Sequence, residues 1–322
     1  MLNRRLFLAS SALPFAGAKA GAQAAFPNKQ IRLYVPAPPG GAIDAIARLT
    51  GEKLQTWWGQ AVIVDNKPGA TQTLATDLVA KSPPDGYNLV IVASSHAVNP
   101  LFFKTLPYDT LKDLAPVIQT HNVPLMLAVT PSLPAKTVPE LIALLKAKPG
   151  EYSYASSGAG SSLHMAAELF LSMTGTKMLH VPYRGSSAAH PDLLSGRTQV
   201  IFDTVTAIAG HARSGGVRAL AVTTAKRSNV APDVPTMIEA GLPGYDMGSW
   251  GGFIVPMGTP KDVIDKLNAG FNKALAEPDV VAKLDAAGIQ VVGGPPKVFD
   301  DFIRQEMVRW AKVAQDAGIK PE

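Results

Sequence analysis

Short apolar runs along the chain are each followed by a stretch in which apolar residues fall three and four apart, the alternation of a strand with a helix. Ile31 to Ala37 reads as a strand, Pro38-Pro39-Gly40-Gly41 as a loop, and Ile43, Ile46, Ala47 and Leu54 as the buried stripe of the next helix. Ala61–Val64 and Leu89–Ala93, separated by helical patterns, complete a parallel β-α-β-α-β unit. Leu114 to Thr130 is long and apolar, interrupted by Asn122 and Pro124, as suits one segment leaving a first sheet and entering a second near Asn122.

The alternation then repeats. Pro139 to Ala147 is helical with its proline in the first turn, Tyr152–Ala155 is a strand, Leu163–Met173 a helix and Met178–Pro182 a strand. Val200–Asp203 and Val217–Thr223 add strands, Pro232 to Tyr245 is a loop-rich return, and Trp250–Pro256 brings the chain back to the first sheet. Two C-terminal stripes, Val263/Leu267/Phe271 and Phe299/Phe302/Ile303/Trp310, read as core, as do Trp57 and Trp58. The pattern predicts an α/β protein of two lobes: residues 25–122 with 249–322, and residues 123–248.

Two loops stand out. Ser156-Ser157-Gly158-Ala159-Gly160-Ser161-Ser162 joins a strand to a helix with small residues only, so amides can converge ahead of the helix and seat a carboxylate or phosphate. Pro38–Gly41 repeats the device in the first lobe. An ordinary turn with a serine cap is the alternative for either loop taken alone.

Composition narrows the partners. An apolar content of 47% with 17% charged residues fits well-filled cores. Met1 to Ala24 has the anatomy of an export signal: Arg4-Arg5, an apolar run from Leu6 to Ala18, and a small-residue site that places cleavage after Ala24. Asn3-Arg4-Arg5-Leu6-Phe7-Leu8 also matches the twin-arginine consensus, which general secretory signals sometimes imitate. Because that segment holds Arg4, Arg5 and Lys19 and no acid, the net charge falls from +5 to +2 (5 − 3), too little to argue for a nucleic-acid or membrane partner. With no cysteine there is no disulfide and no thiolate chemistry.

Ser156, Ser157, Ser161, Ser162 and His164 crowd together, which raises the rival of an exported serine hydrolase, yet no G-x-S-x-G elbow occurs. The six histidines form no metal-ligand spacing, and the phosphate-loop and dinucleotide signatures are missing. What remains are polar groups at strand ends, where open α/β sheets bind ligands: Ser94-Ser95, Tyr183-Arg184-Gly185 and Asp203-Thr204. Arg184 can meet an anion or simply be solvated. Asp44 either faces the ligand or, the reading we favour, complements its helix dipole. Asp203 can receive a ligand group or hold Arg184.

Across these positions the chain resembles the Bug family, the extracytoplasmic solute-binding proteins of tripartite tricarboxylate transporters. The resemblance rests on Pro39-Gly40-Gly41-x-x-Asp44, Asn66-x-Pro68-Gly69-Ala70, Pro84-Asp85-Gly86-Tyr87, Ser157-x-x-Gly160-Ser161-x-x-His164, Val181-Pro182-Tyr183-x-Gly185, Val234-Pro235-Thr236-x-x-Glu239, and Trp250-x-Gly252 with Pro256-x-Gly258-Thr259-Pro260. It implies a two-lobed type II periplasmic binding fold of two Rossmann-like domains, a monomer without a cofactor in the periplasm. It also implies a carboxylated small molecule held between the two loops: a di- or tricarboxylate, an acidic amino acid or an aromatic acid. Membrane subunits of such a transporter would be the partner; a ligand sensor for a sensor kinase would use the same cleft. Contacts carried over are Gly40, Gly41, Ser157, Gly158 and Gly160, with Ser94, Tyr183 and Asp203 beside them, and the reading of the residues adds Pro39, Asp44, Ser95, Ser156, Ser161 and Arg184. The chain departs from the family at Thr71-Gln72, where Gly-Gly is usual.

Overall fold

The computed structural model describes residues 26–69, 72–316 and 318; the expected export signal and Ala70-Thr71 lie outside them. The elements are β1 (Ile31–Val35), α1 (Ala42–Trp58), β2 (Val62–Asn66), α2 (Thr73–Ala80), β3 (Asn88–Ala93), α3 (Ser95–Phe102), β4 (Leu114–Val129), α4 (Val138–Ala147), β5 (Ser153–Ser156) and α5 (Ser162–Thr174). They continue as β6 (Leu179–Pro182), α6 (Ser186–Leu194), β7 (Val200–Thr204), α7 (Val205–Arg213), β8 (Arg218–Val222), β9 (Gly248–Pro256), α8 (Lys261–Leu275), α9 (Pro278–Ala286), β10 (Gln290–Val291) and α10 (Pro296–Asp316).

The strand order is β2-β1-β3-β9-β4-β7-β5-β6, with β8 and β10 also paired to β4. β1 runs parallel to β2 and to β3, the β-α-β-α-β unit that the apolar pattern predicts. β4 serves both halves. Its first part, Leu114 to Pro124, pairs antiparallel with β9, and from Leu125 onward it pairs with β7 and β8. Pairing with β9 therefore persists two residues beyond Asn122, because Pro124, which cannot donate to a ladder, is the natural place for the change of partner.

The apolar stripe of α1 is buried as predicted, and its C-terminus is closed by Gly59 in the left-handed region (φ 63°). α3, α6 and α7 are not visible in the apolar pattern. α3 and α7 begin at or next to a strand end and α6 just past one, and Pro100 in α3 and Pro191 in α6 break the helical signature.

The centre of the first lobe explains one sequence motif. Gly251 and Gly252 sit in β9 between β3 and β4, and a Cβ at Gly252 would lie 2.2 Å from the Ile118 carbonyl oxygen and 2.5 Å from the Phe299 ring. Trp250 packs edge-on against Phe299 and Phe302, and its indole N–H donates to the buried Glu306 carboxylate at 2.9 Å, which also accepts from Trp310 at 2.9 Å. Trp250-x-Gly252 thus lets α10 press directly onto the sheet.

Candidate functional site

A cleft of about 1750 Å³ opens where strand ends of the two lobes face each other. Its wall contains Pro36–Pro38, Pro68, Gly69, Gln72, Ser94, Ser95 and Phe102–Lys104 from the first lobe, and Ser157–Ala159, Ser161, Ser162, His164, His180 and Tyr183–Gly185 from the second. Four helices point their N-terminal ends at it, α2 from Gln72, α3 from Ser94, α5 from Ser161 and α6 from Gly185. Such ends are electropositive.

The β5–α5 loop is knitted by its own side chains. Ser161 caps α5, accepting the His164 amide at 3.3 Å and donating to the Gly158 carbonyl at 2.7 Å. The Gly158 N–H donates to Ser156 Oγ at 3.1 Å, and the Gly160 N–H to His164 Nδ1 at 3.1 Å. These two amides are therefore not the anion donors that the glycine spacing suggests; the loop spends them on its own shape. The amides of Ser157, Ala159 and Ser162, which line the cleft, have no acceptor among the described residues.

Beneath the loop His164 and His180 stack at 4.1 Å, with Tyr154 on His180 at 4.9 Å. Burial pushes His164 down to about 3, the neighbouring His180 adding to the effect, and burial alone pushes His180 down to about 4. Both rings are neutral at pH 7. His180 Nε2 lies 2.7 Å from Ser156 Oγ, the spacing of a hydrolase dyad, but Ser156 is 0% exposed and no substrate carbonyl can reach it.

The structure distributes the remaining candidates unevenly. Ser94, Ser95, Ser157, Gly158, Ser161, Tyr183 and Arg184 line the cleft; the Ser94 hydroxyl has no partner among the described residues. Pro39, Gly40 and Gly41 are exposed on the rim beside Pro38 and do not reach the wall. Asp44 is turned inward, not toward the cleft. It accepts from the Gly40 amide, from Arg48 through both oxygens, and from Asn66, so its lone pairs are engaged. Burial raises its pKa, but Arg48, the Gly40 amide and Asn66 outweigh this and hold the carboxyl below its ordinary range. Ser156 and Gly160 are buried behind the loop, Gly160 against Phe102. Asp203 is 1% exposed and binds His190 at 2.7 Å and the Thr204 amide, so it holds His190 and not Arg184. The Tyr183 hydroxyl is likewise committed, to Asp192 at 2.7 Å.

Residue patterns alone did not single out Lys104. It follows the C-terminus of α3, and together with Arg184 it supplies the charge of the wall, which contains no Asp or Glu. Neither cation has a carboxylate partner among the described residues. Finding Lys104 would have required knowing that α3 exists and ends at the cleft.

Gly160 has φ 73°, and a Cβ there would sit 3.3 Å from Phe102. Gly160→Val is expected to bend the loop out of register and lower affinity for a small anionic ligand at least tenfold, while the core stays folded, since one residue forced into the left-handed region costs about 1–2 kcal/mol. Calorimetric titration alongside a thermal melt checks this; unchanged affinity would show that the loop geometry is irrelevant to binding.

A cleft between two α/β lobes, lined by helix N-termini and by two cations, fits a solute-binding protein of the two-lobed periplasmic type. Comparison narrows this class. The chain belongs to the tripartite tricarboxylate transporter family of receptors: residues 46–319 match the family described as "Tripartite tricarboxylate transporter family receptor". It is 39% identical over 297 residues to protein BugT of Bordetella pertussis, covering 92% of this chain and 91% of that one. Among solved structures it is similar to Rpa4515 of R. palustris with adipate, at 38% identity and a TM-score of 0.82, covering 92% of this chain and 100% of that one. It is also similar to MatC of Rhodopseudomonas palustris with bound malate, at 32% identity and a TM-score of 0.77, covering 89% and 99%. The family is one of binding receptors, not of enzymes.

Proposed function

We propose that the protein captures a small organic acid with at least two acidic groups in the periplasm and delivers it to the membrane subunits of a tripartite tricarboxylate-type transporter. The observation that carries this reading is the charge of the cleft: Lys104 on one lobe, Arg184 on the other, and no acid between them. A monoacid needs only one of these poles. A diacid can meet the free amides of the β5–α5 loop with one carboxylate and a cation with the other, and so gain from bringing the lobes together. The acids bound to Rpa4515 and MatC are both diacids, which supports the same class. Lobe limits at residues 25–122 with 249–322 and at residues 123–248 fit this motion, with β4 as the shared strand and the rim residues Pro39, Gly40 and Gly41 brought toward the ligand.

Adipate and its monomethyl ester test the idea. The ester is expected to bind about tenfold more weakly, a loss of about 1.4 kcal/mol, and to compact the protein less in small-angle scattering. Equal affinity with equal compaction would mean that one carboxylate does all the recognition.

A further inference from the structure

Gln72 is the only non-glycine residue with positive φ among the described residues, at φ 72° and ψ 0°. A side chain in the left-handed region is strained, and such residues persist where the surroundings hold them for a purpose. The backbone of Gln72 is held locally, its N–H donating to the Gly69 carbonyl at 2.9 Å and its carbonyl accepting from the Thr76 hydroxyl at 3.0 Å, but the side chain takes no part in this: Gln72 stands at the N-cap of α2, yet its side chain makes no cap hydrogen bond. It reaches instead across to the start of α3, where its Oε1 accepts from the Ser95 hydroxyl at 2.9 Å. That bond fixes the carboxamide plane and turns the two Nε2 donors away from Ser95. Gln72 lines the cleft, and Nε2 has no acceptor among the described residues. The adjacent Ser94 lines the cleft too, and its hydroxyl has no partner among the described residues, so two first-lobe donors stand together at the N-terminus of α3.

We propose that Gln72 is a specificity-determining residue, strained so that its carboxamide, oriented by Ser95, donates a hydrogen bond to an acid group of the ligand from the first lobe. The proposal rests on the carboxylate-binding reading given above and adds to it the group that the first lobe contributes. Strain accepted for binding has a signature that a structural role lacks, because removing the side chain then moves stability and affinity in opposite directions.

The test is Gln72→Gly, read by thermal unfolding without ligand and by calorimetric titration with adipate and with malate. Glycine relieves the left-handed strain, so the unliganded Tm is expected to rise by about 2 °C, while affinity for the diacid falls about tenfold. Gln72→Asn provides a second arm: asparagine tolerates the same backbone but is too short to span to Ser95, so stability is expected to hold while affinity drops as in the glycine variant. A fall in Tm with affinity unchanged would make Gln72 a structural residue and overturn the proposal, as would an affinity indifferent to both variants. If the wild-type protein binds neither adipate nor malate, the carboxylate reading itself falls and this role falls with it. A wild type that binds and a Gln72→Gly variant that binds equally well overturn the role of Gln72 alone.

Discussion

Gly252→Ala is expected to destabilise the protein by at least about 3 kcal/mol and to lower its yield sharply. The added methyl group meets backbone on one side, the Ile118 carbonyl at 2.2 Å, and the buried Phe299 ring on the other, at 2.5 Å. Neither is the free end of a flexible side chain, so β4 or α10 must shift, and overpacking of a filled core costs about 1–3 kcal/mol even where side chains alone can adjust. Gly258→Ala is the control. It lies at φ 87°, but only Pro84 stands near, at 3.8 Å, so its cost is the backbone strain of about 1–2 kcal/mol. Urea denaturation of the two variants distinguishes them. If Gly252→Ala proves the milder, the close approach of α10 to the sheet does not constrain the fold.

A second large effect comes from acid. Burial pushes His96 and His180 down to about 4, and His121 and His164 down to about 3. In the unfolded chain each would titrate near 6.5. The folded values are depressed, so between about pH 3 and 6.5 the unfolded state holds more protons. The stability these neutral rings confer is complete above pH 6.5 and is lost as pH falls toward their folded values. Near pH 5 each histidine contributes a slope of about 1.4 kcal/mol per pH unit, and four together roughly 5, against a total stability of about 5–15 kcal/mol. Loss of stability and cooperative unfolding are therefore expected as the pH falls below about 5 at room temperature, with a net uptake of protons by these rings. Circular dichroism from pH 7 to 4, with calorimetry in buffers of different ionisation heat, measures both quantities. A Tm that stays level from pH 6.5 to 5 would show that these rings are not buried neutral.

Most of the architecture is legible in the sequence because strand and helix periods are local. The long run Leu114 to Thr130 announces a strand shared between sheets, and the stripe Ile43/Ile46/Ala47/Leu54 announces α1 and its buried face. The site is legible only in outline. Gly158 and Gly160 mark a loop that lines the cleft, yet which of its amides stay free depends on Ser156 and His164, whose hydrogen bonds form only once the loop has closed. Asp44 and Asp203 look alike as strand- or helix-end acids; their neighbours Arg48, Asn66 and His190, which occupy them, are set by packing. Several family motifs prove to be scaffolding. Thr236 and Glu239 close a reciprocal capping box, each side chain accepting the other's amide, and Asp85 accepts the Tyr87 amide across Gly86.

β9 lies between β3 and β4 in the sheet, although the whole second lobe separates it from them along the chain. During synthesis the first strands made must wait for the last. The second lobe has β4, β5, β6, β7 and β8 available before Gly248 is added, whereas β3 and the first part of β4 face each other across a missing strand until Pro256 emerges. The lobe begun first is thus completed last, and a nascent chain halted before Gly248 carries two unpaired strand edges rich in valine and isoleucine, a template for association with other chains.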